Sequence, residues 1–170
     1  PGLSFREYLE LKHGIKKGIT KLDDIFRNHT ELAQQFLEEH KPLSLIKEYL
    51  EVGYLPFSLE GNEKDYWFKL AQTVNIVLEN DLAGIEGYSA SGIQKIKKLL
   101  GVIAEAAPFE PNISSLARKM NLGRDTVYNY LDHLEKARLL NFLRYETKGI
   151  AALQKPDKIY LENSNLAYAI

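Results

Sequence analysis

The side chains best suited to chemistry in this 170-residue chain cluster near residue 124, in the pattern Arg124-Asp-Thr-Val-Tyr128-Asn129. Arginine and asparagine pair with base edges in the major groove of DNA, and hydroxyl side chains bind phosphate. We predict that Arg124, Tyr128 and Asn129 read bases and that Thr126 touches phosphate. Lys148 and Lys155, further along the chain, are predicted to contact the DNA backbone.

A helix-turn-helix would position these residues, and the sequence around them meets its requirements. Ala117 is small enough for a close helix crossing. Asn121 and Gly123 tolerate the left-handed backbone of a tight turn. The apolar anchors on both sides are Leu116, Leu122, Val127 and Leu131. These features predict helices over 114–120 and 124–138.

The elements around this motif follow the order of a winged helix. An amphipathic pattern predicts a preceding helix over 93–107, which must end before Pro108. Two β-biased runs, 140–145 and 158–161, follow the second helix and are separated by a polar segment. The order of helix, helix, helix, strand, loop, strand predicts a winged helix-turn-helix with a small β-hairpin wing.

The sequence pattern of the first half of the chain predicts a series of helices, so we predict a mainly α fold. Ser4 and Glu7 form a capping-box pattern, and Pro42 suits the first turn of a helix. Thr30 precedes an amphipathic run, and Asn62 is placed to cap a helix that reaches about residue 82. A stretch rich in Gly and Ser over 84–92 separates a helical subdomain, residues 1–88, from the winged helix domain, residues 89–170.

The distribution of charge does not decide whether the winged helix binds DNA or protein. The helix at 124–138 sums to zero, and Asp125 and Asp132 lie on the face that would approach phosphate. The net charge of −1 for the chain combines −4 from residues 1–111 with +3 from residues 112–170. This pattern suits DNA contacts as well as a winged helix used for packing or protein contacts.

The patterns of common active sites are absent from the sequence. The segment Gly14-Ile-Lys-Lys-Gly18 lacks the spacing and the Lys-Ser/Thr of a phosphate loop. The four histidines are scattered without metal-ligand spacing, and the chain has no cysteine. We therefore expect no catalytic residue, cofactor or metal in this chain.

Without a signal peptide or a membrane-spanning run, we expect a cytoplasmic protein and no membrane partner.

Five segments together resemble one prokaryotic family. They are Pro1-Gly-Leu-Ser-Phe-Arg-Glu-Tyr-Leu9, Tyr49-Leu-Glu-Val-Gly-Tyr-Leu-Pro-Phe57, Leu78-Glu-Asn-Asp-Leu82, the helix-turn-helix from Leu116 to Glu135, and Lys158-Ile-Tyr-Leu-Glu-Asn-Ser-Asn-Leu166. In order and spacing they are similar to the predicted AAA-type ATPases of bacteria and archaea that carry a C-terminal domain of unknown function. The resemblance covers essentially the whole chain.

The resemblance implies that residues 1–88 are a helical, lid-like subdomain of a longer ATPase. In that family a phosphate-loop core precedes the Ser-Phe-Arg-Glu-Tyr segment, and a nuclease-like fold often follows. ATP and magnesium would then bind upstream, and no catalytic residue carries over to this chain. The family's Gly-Gly appears here as Val52-Gly53. The chain begins Pro1-Gly2 and its only methionine is Met120, so we expect a piece of a longer protein.

Three hypotheses follow. The first is a non-catalytic portion of an ATPase that couples nucleotide state to a winged-helix interaction or DNA-binding module. Its partners are the upstream ATPase core, DNA and further subunits. The alternative is a stand-alone winged-helix transcriptional regulator that binds DNA. The second alternative is a winged helix that makes protein–protein contacts.

Overall fold

Helices form most of the chain, with one small antiparallel sheet near the C-terminus, in this computed structural model. The structure describes residues 2–81, 84, 87–106, 110–144 and 158–170. The chain divides into two compact units, Pro1–Tyr66 and Trp67–Ile170. This division falls earlier than the predicted boundary between residues 88 and 89, which stays a prediction. No helix in the described ranges is long and apolar enough to cross a membrane.

The first unit contains α1 (Phe5–His13), α2 (Leu22–Glu39), α3 (Pro42–Glu48), a π-helical turn (Tyr49–Gly53), a 3-10 turn (Pro56–Leu59) and the start of α4 (Glu63–Ile76). The capping box at Ser4 is confirmed, because Ser4 accepts a hydrogen bond from the Glu7 amide and Glu7 accepts one from the Ser4 amide. These hydrogen bonds from Ser4 lower the pKa of Glu7. Pro42 lies in the first turn of α3, as predicted.

The second helix is longer than the sequence pattern predicts. It begins at Leu22 rather than beside Thr30, and it bends at Asn28, where φ is −128° and ψ is 21°. Asp23 and Asp24 occupy the first turn, where carboxylates interact favourably with the helix dipole. The predicted run after Thr30 is therefore the second part of a longer helix that bends at Asn28.

Gly53 lies at a crowded point of the first unit, where two tyrosine rings pack. A Cβ on Gly53 would lie 2.5 Å from Cδ2 of Tyr49 and 3.0 Å from Cδ2 of Tyr8. Both rings are held in place, because the Tyr49 hydroxyl donates to the Leu3 carbonyl at 2.7 Å and the Tyr8 hydroxyl donates to Glu48 at 2.7 Å. The absence of a side chain at position 53 is therefore a packing requirement.

We expect Gly53→Ala to destabilise the protein by about 1–3 kcal/mol, the usual cost of overpacking. Urea unfolding measures this effect. Gly101→Ala is the matched control, because Gly101 lies inside a helix with no atom within 4 Å of the new methyl group. The control should be neutral or slightly stabilising, since alanine favours the helix. An unchanged midpoint for Gly53→Ala would contradict the packing argument.

The second unit contains the rest of α4, a π-helical turn (Val77–Asp81), α5 (Ala90–Ala104), α6 (Ile113–Met120), α7 (Arg124–Lys136), β1 (Leu140–Leu143), β2 (Lys158–Leu161) and α8 (Leu166–Ala169). Ser89 caps α5 by accepting from the Gly92 amide. Asn62 caps α4 as predicted, by accepting from the Asp65 amide. Leu70 and Val74 of α4 are buried, and so is Leu78 in the π-helical turn that follows it.

One core joins the helices of the second unit to its sheet. The residues of α5–α7 that are buried there are Ile93, Ile96, Leu99, Leu100, Ile103, Ile113, Leu116, Ala117, Val127, Tyr130, Leu131 and Leu134. The strands pair antiparallel, with Leu140 opposite Leu161 and Leu143 opposite Lys158. Leu140 and Ile159 point into the core while their neighbours point outward. The helical core therefore fixes the base of the hairpin.

Candidate nucleic-acid interface

The turn between α6 and α7 depends on one left-handed residue. Asn121 has φ 53° and ψ 52°, and the Leu122 amide donates to the Ala117 carbonyl at 2.9 Å. Gly123 has φ −69° and ψ 152°, which is extended backbone at the start of α7. Of the two residues predicted to tolerate left-handed backbone, Asn121 adopts it and Gly123 does not. Ala117 is buried, as a close helix crossing requires.

The predicted contact residues on α7 lie in its first two turns. Arg124 and Asn129 are exposed, Thr126 is half-buried, and Tyr128 is 41% exposed. Arg124 and Tyr128 are four residues apart and so share a face of the helix. Lys148 and Lys155 lie outside the described residues. The DNA-contact roles of all six residues stay predictions.

A cleft of about 380 Å³ runs beside this face, between the starts of α6 and α7. The start of α6 contributes its cap residue Asn112 and Ser114, and α7 contributes Arg124, Asp125 and Tyr128. Asn112 caps α6 by accepting from the Ser115 amide at 2.9 Å. The starts of two helices thus meet at one polar surface, where an arginine and a phenol are available for contacts.

Ion pairs occupy most of the charged side chains on α7 and just after it. Asp132 lies 2.7 Å from the Lys136 ammonium group. Arg144 donates two hydrogen bonds to Glu135, at 2.7 and 2.6 Å, and these bonds raise the pKa of Arg144. Arg138 lies 3.0 Å from Glu162. Two of the three carboxylates on α7 are therefore already compensated by cations of the same unit.

The charges left over on α6 and α7 are mostly positive. Arg118, Lys119 and Arg124 are exposed and have no ion pair among the residues that the structure describes. Asp125 is the carboxylate of α7 without an ion pair in the same ranges. On α7 itself the unpaired charges of Arg124 and Asp125 cancel, so the excess of unpaired cations on the helix-turn-helix comes from Arg118 and Lys119 of α6.

Two contacts around α7 could not be predicted from the sequence. The Tyr88 hydroxyl lies 2.7 Å from Nδ1 of His133, and the Tyr88 ring packs edge-on against Tyr130 with centroids 5.4 Å apart. The Arg144 guanidinium lies over the Phe142 ring, 4.9 Å from its centroid. The first contact ties the segment before α5 to α7, and the second orients Arg144 toward Glu135. Both contacts hold residues of neighbouring segments in place beside α7.

Comparison with known proteins identifies an archaeal relative of this chain. The uncharacterized protein MJ1637 of Methanocaldococcus jannaschii is 29% identical over 146 residues, covering 81% of this chain and 30% of that protein. The chain thus spans less than a third of the length of that relative. No solved structure matches. The name of that relative states no activity, so the ATPase resemblance stays a prediction.

A family model described as a domain of unknown function, DUF8612, matches residues 43–170. The matched range begins at α3 and includes the helix-turn-helix, both strands and α8. Since the match covers well over half of the chain, the protein belongs to the DUF8612 family.

Proposed function

We propose that residues 89–170 form a winged helix that binds duplex DNA, with α7 in the major groove and the β1–β2 hairpin as the wing. The observation that carries this proposal is the exposed start of α7, where Arg124 and Asn129 project while Asp132 and Glu135 are held in ion pairs. Helix-turn-helix proteins contact base edges with the N-terminal residues of their second helix.

Electrostatics supports DNA over a neutral partner. Arg118, Lys119 and Arg124 supply three uncompensated cations, and the polar cleft at the helix starts suits phosphate better than an apolar surface. A winged helix used for protein contacts would instead be expected to present an apolar patch at this position. The start of α7 presents mainly polar side chains, with Tyr128 as its exposed aromatic residue.

A salt titration of duplex DNA tests this proposal. If about three phosphates are neutralised, log affinity should fall against log salt with a slope of about −2.7. Fluorescence anisotropy of a labelled duplex at several salt concentrations measures the slope. A slope near zero, or no binding at low salt, would overturn the assignment to DNA. A labelled single strand with equal affinity would also overturn it, because a major-groove helix needs a duplex.

We further propose that the chain is a non-catalytic module of a longer ATPase, in which residues 1–88 couple nucleotide state to the winged helix. The length of MJ1637 and the family resemblance support this role, with ATP and magnesium bound outside this chain. A cytoplasmic location fits the absence of cysteine. The isolated chain should neither bind ATP tightly nor hydrolyse it, and measurable turnover would contradict the module role.

A further inference from the structure

The side of α7 that faces away from the core carries a stripe of polar residues. Its members are exposed and follow one another at the spacing of a single helix face: Asp125, Asn129, Asp132 and Lys136. The buried residues of α7 lie on the opposite side: Val127, Tyr130, Leu131 and Leu134. With α7 in the major groove, this outward stripe is the part of the helix nearest the base edges.

The two halves of this stripe differ in what their side chains already bind. Asp132 lies 2.7 Å from the Lys136 ammonium group, so the charges of these two residues cancel. The side chains of Asp125 and Asn129 make no hydrogen bond or ion pair with any residue that the structure describes. Asp125 and Asn129 therefore keep their full hydrogen-bonding capacity for a ligand that covers the first turns of α7.

The carboxylate of Asp125 needs a partner that donates hydrogen bonds. It repels phosphate oxygens, because both groups are negatively charged. A carboxylate only accepts hydrogen bonds, whereas guanine presents the acceptors O6 and N7 in the major groove and thymine presents the acceptor O4. Cytosine presents its N4 amino group as a donor, and adenine presents a donor at N6 beside an acceptor at N7. Of the four bases, cytosine therefore matches Asp125 best.

The carboxamide of Asn129 matches a different base. It both donates and accepts, and it can pair with N6 and N7 of adenine through two hydrogen bonds. Asn129 follows Asp125 by four residues, which is about 6 Å along a helix that rises 1.5 Å per residue. Successive base pairs lie about 3.4 Å apart along DNA, so the two side chains reach bases that are about two steps apart.

We infer that α7 selects duplexes in which a cytosine and an adenine lie about two base-pair steps apart. Asp125 accepts a hydrogen bond from the cytosine amino group, and Asn129 pairs with the adenine. Asp125 thus determines specificity at one base pair and adds nothing to the general attraction for DNA. The inference rests on the proposed binding of duplex DNA by α7, and it names the class of sequence that this surface recognises.

Selection from a pool of random duplexes tests this inference. The whole chain is mixed with double-stranded DNA of random sequence, and the duplexes that it retains are sequenced. We expect enrichment of a cytosine and an adenine about two steps apart. Replacing that cytosine by another base should weaken binding about fivefold or more, as measured by fluorescence anisotropy. Asp125→Asn should change the preferred base at that position from cytosine to adenine, because a carboxamide replaces a carboxylate of the same size.

Asp132→Asn is the matched control, because it makes the same chemical change on the same stripe at a carboxylate that is already paired. It should keep the preference for cytosine. If Asp125→Asn tightens binding to every duplex alike and leaves the preferred base unchanged, Asp125 contributes only charge and the inference is wrong, although DNA binding by α7 stands. If the parent chain retains no duplex at all, the proposed function is overturned together with the inference.

Discussion

Leu134→Ala is expected to lower the free energy of unfolding by about 2–5 kcal/mol. Leu134 lies on the inner side of α7 with no exposed surface, and its carbonyl accepts from the Leu139 amide at 3.0 Å. The substitution removes apolar contacts and leaves a cavity where α7 meets the core and the start of β1. Guanidinium unfolding, followed by circular dichroism, measures the change.

Leu143→Ala is the control for this cavity, because it makes the same chemical change at a residue that is 49% exposed. It should alter stability by no more than about 0.5 kcal/mol. Equal effects of the two substitutions would show that α7 does not pack on the core as described. A cavity effect confined to Leu134 would support the rigid base that a recognition helix requires.

The double variant Arg124→Ala/Asn129→Ala is expected to weaken binding to a specific duplex by about 2–6 kcal/mol, if each side chain makes one good base contact. Both residues are exposed on the first turns of α7 and neither contributes to the buried core. Its unfolding free energy should therefore stay close to that of the parent chain. Fluorescence anisotropy at fixed salt measures the loss.

The matched control is Arg27→Ala/Gln34→Ala, which removes one cation and one carboxamide from exposed positions of α2. It changes the net charge by the same amount without touching α7. We expect it to bind DNA as the parent chain does, apart from a small uniform electrostatic loss. Equal losses in the two double variants would mean that α7 reads no bases.

Local patterns predicted much of the fold because they act within a few residues. The capping box at Ser4, the first-turn Pro42, the Asn62 cap and the left-handed Asn121 were all visible in the sequence. The strand from Lys158 to Leu161 matched its predicted range, whereas β1 ends at Leu143. The start of α2 was missed, since Thr30 is typical of a cap although the chain only bends near it, at Asn28.

The charge of the candidate site could not be predicted in the same way, because it depends on contacts between elements. Glu135 and Arg144 pair across the end of α7 and the β1 strand, and Tyr88 meets His133 across 45 positions of sequence. The unpaired charges of α7, Arg124 and Asp125, still sum to zero, whereas Arg118 and Lys119 of α6 add two cations that are unpaired among the described residues. Only the folded arrangement shows which charges remain available.

Amide chemical-shift mapping during a DNA titration tests the central claim most directly. With the isotope-labelled chain and a duplex at low salt, we predict the largest shifts at residues 124–129 and at the start of α6, near Asn112 and Ser114. Residues of α2 should show no comparable change. Shifts confined to α1 and α2, or absent at saturating duplex, would contradict DNA recognition by α7.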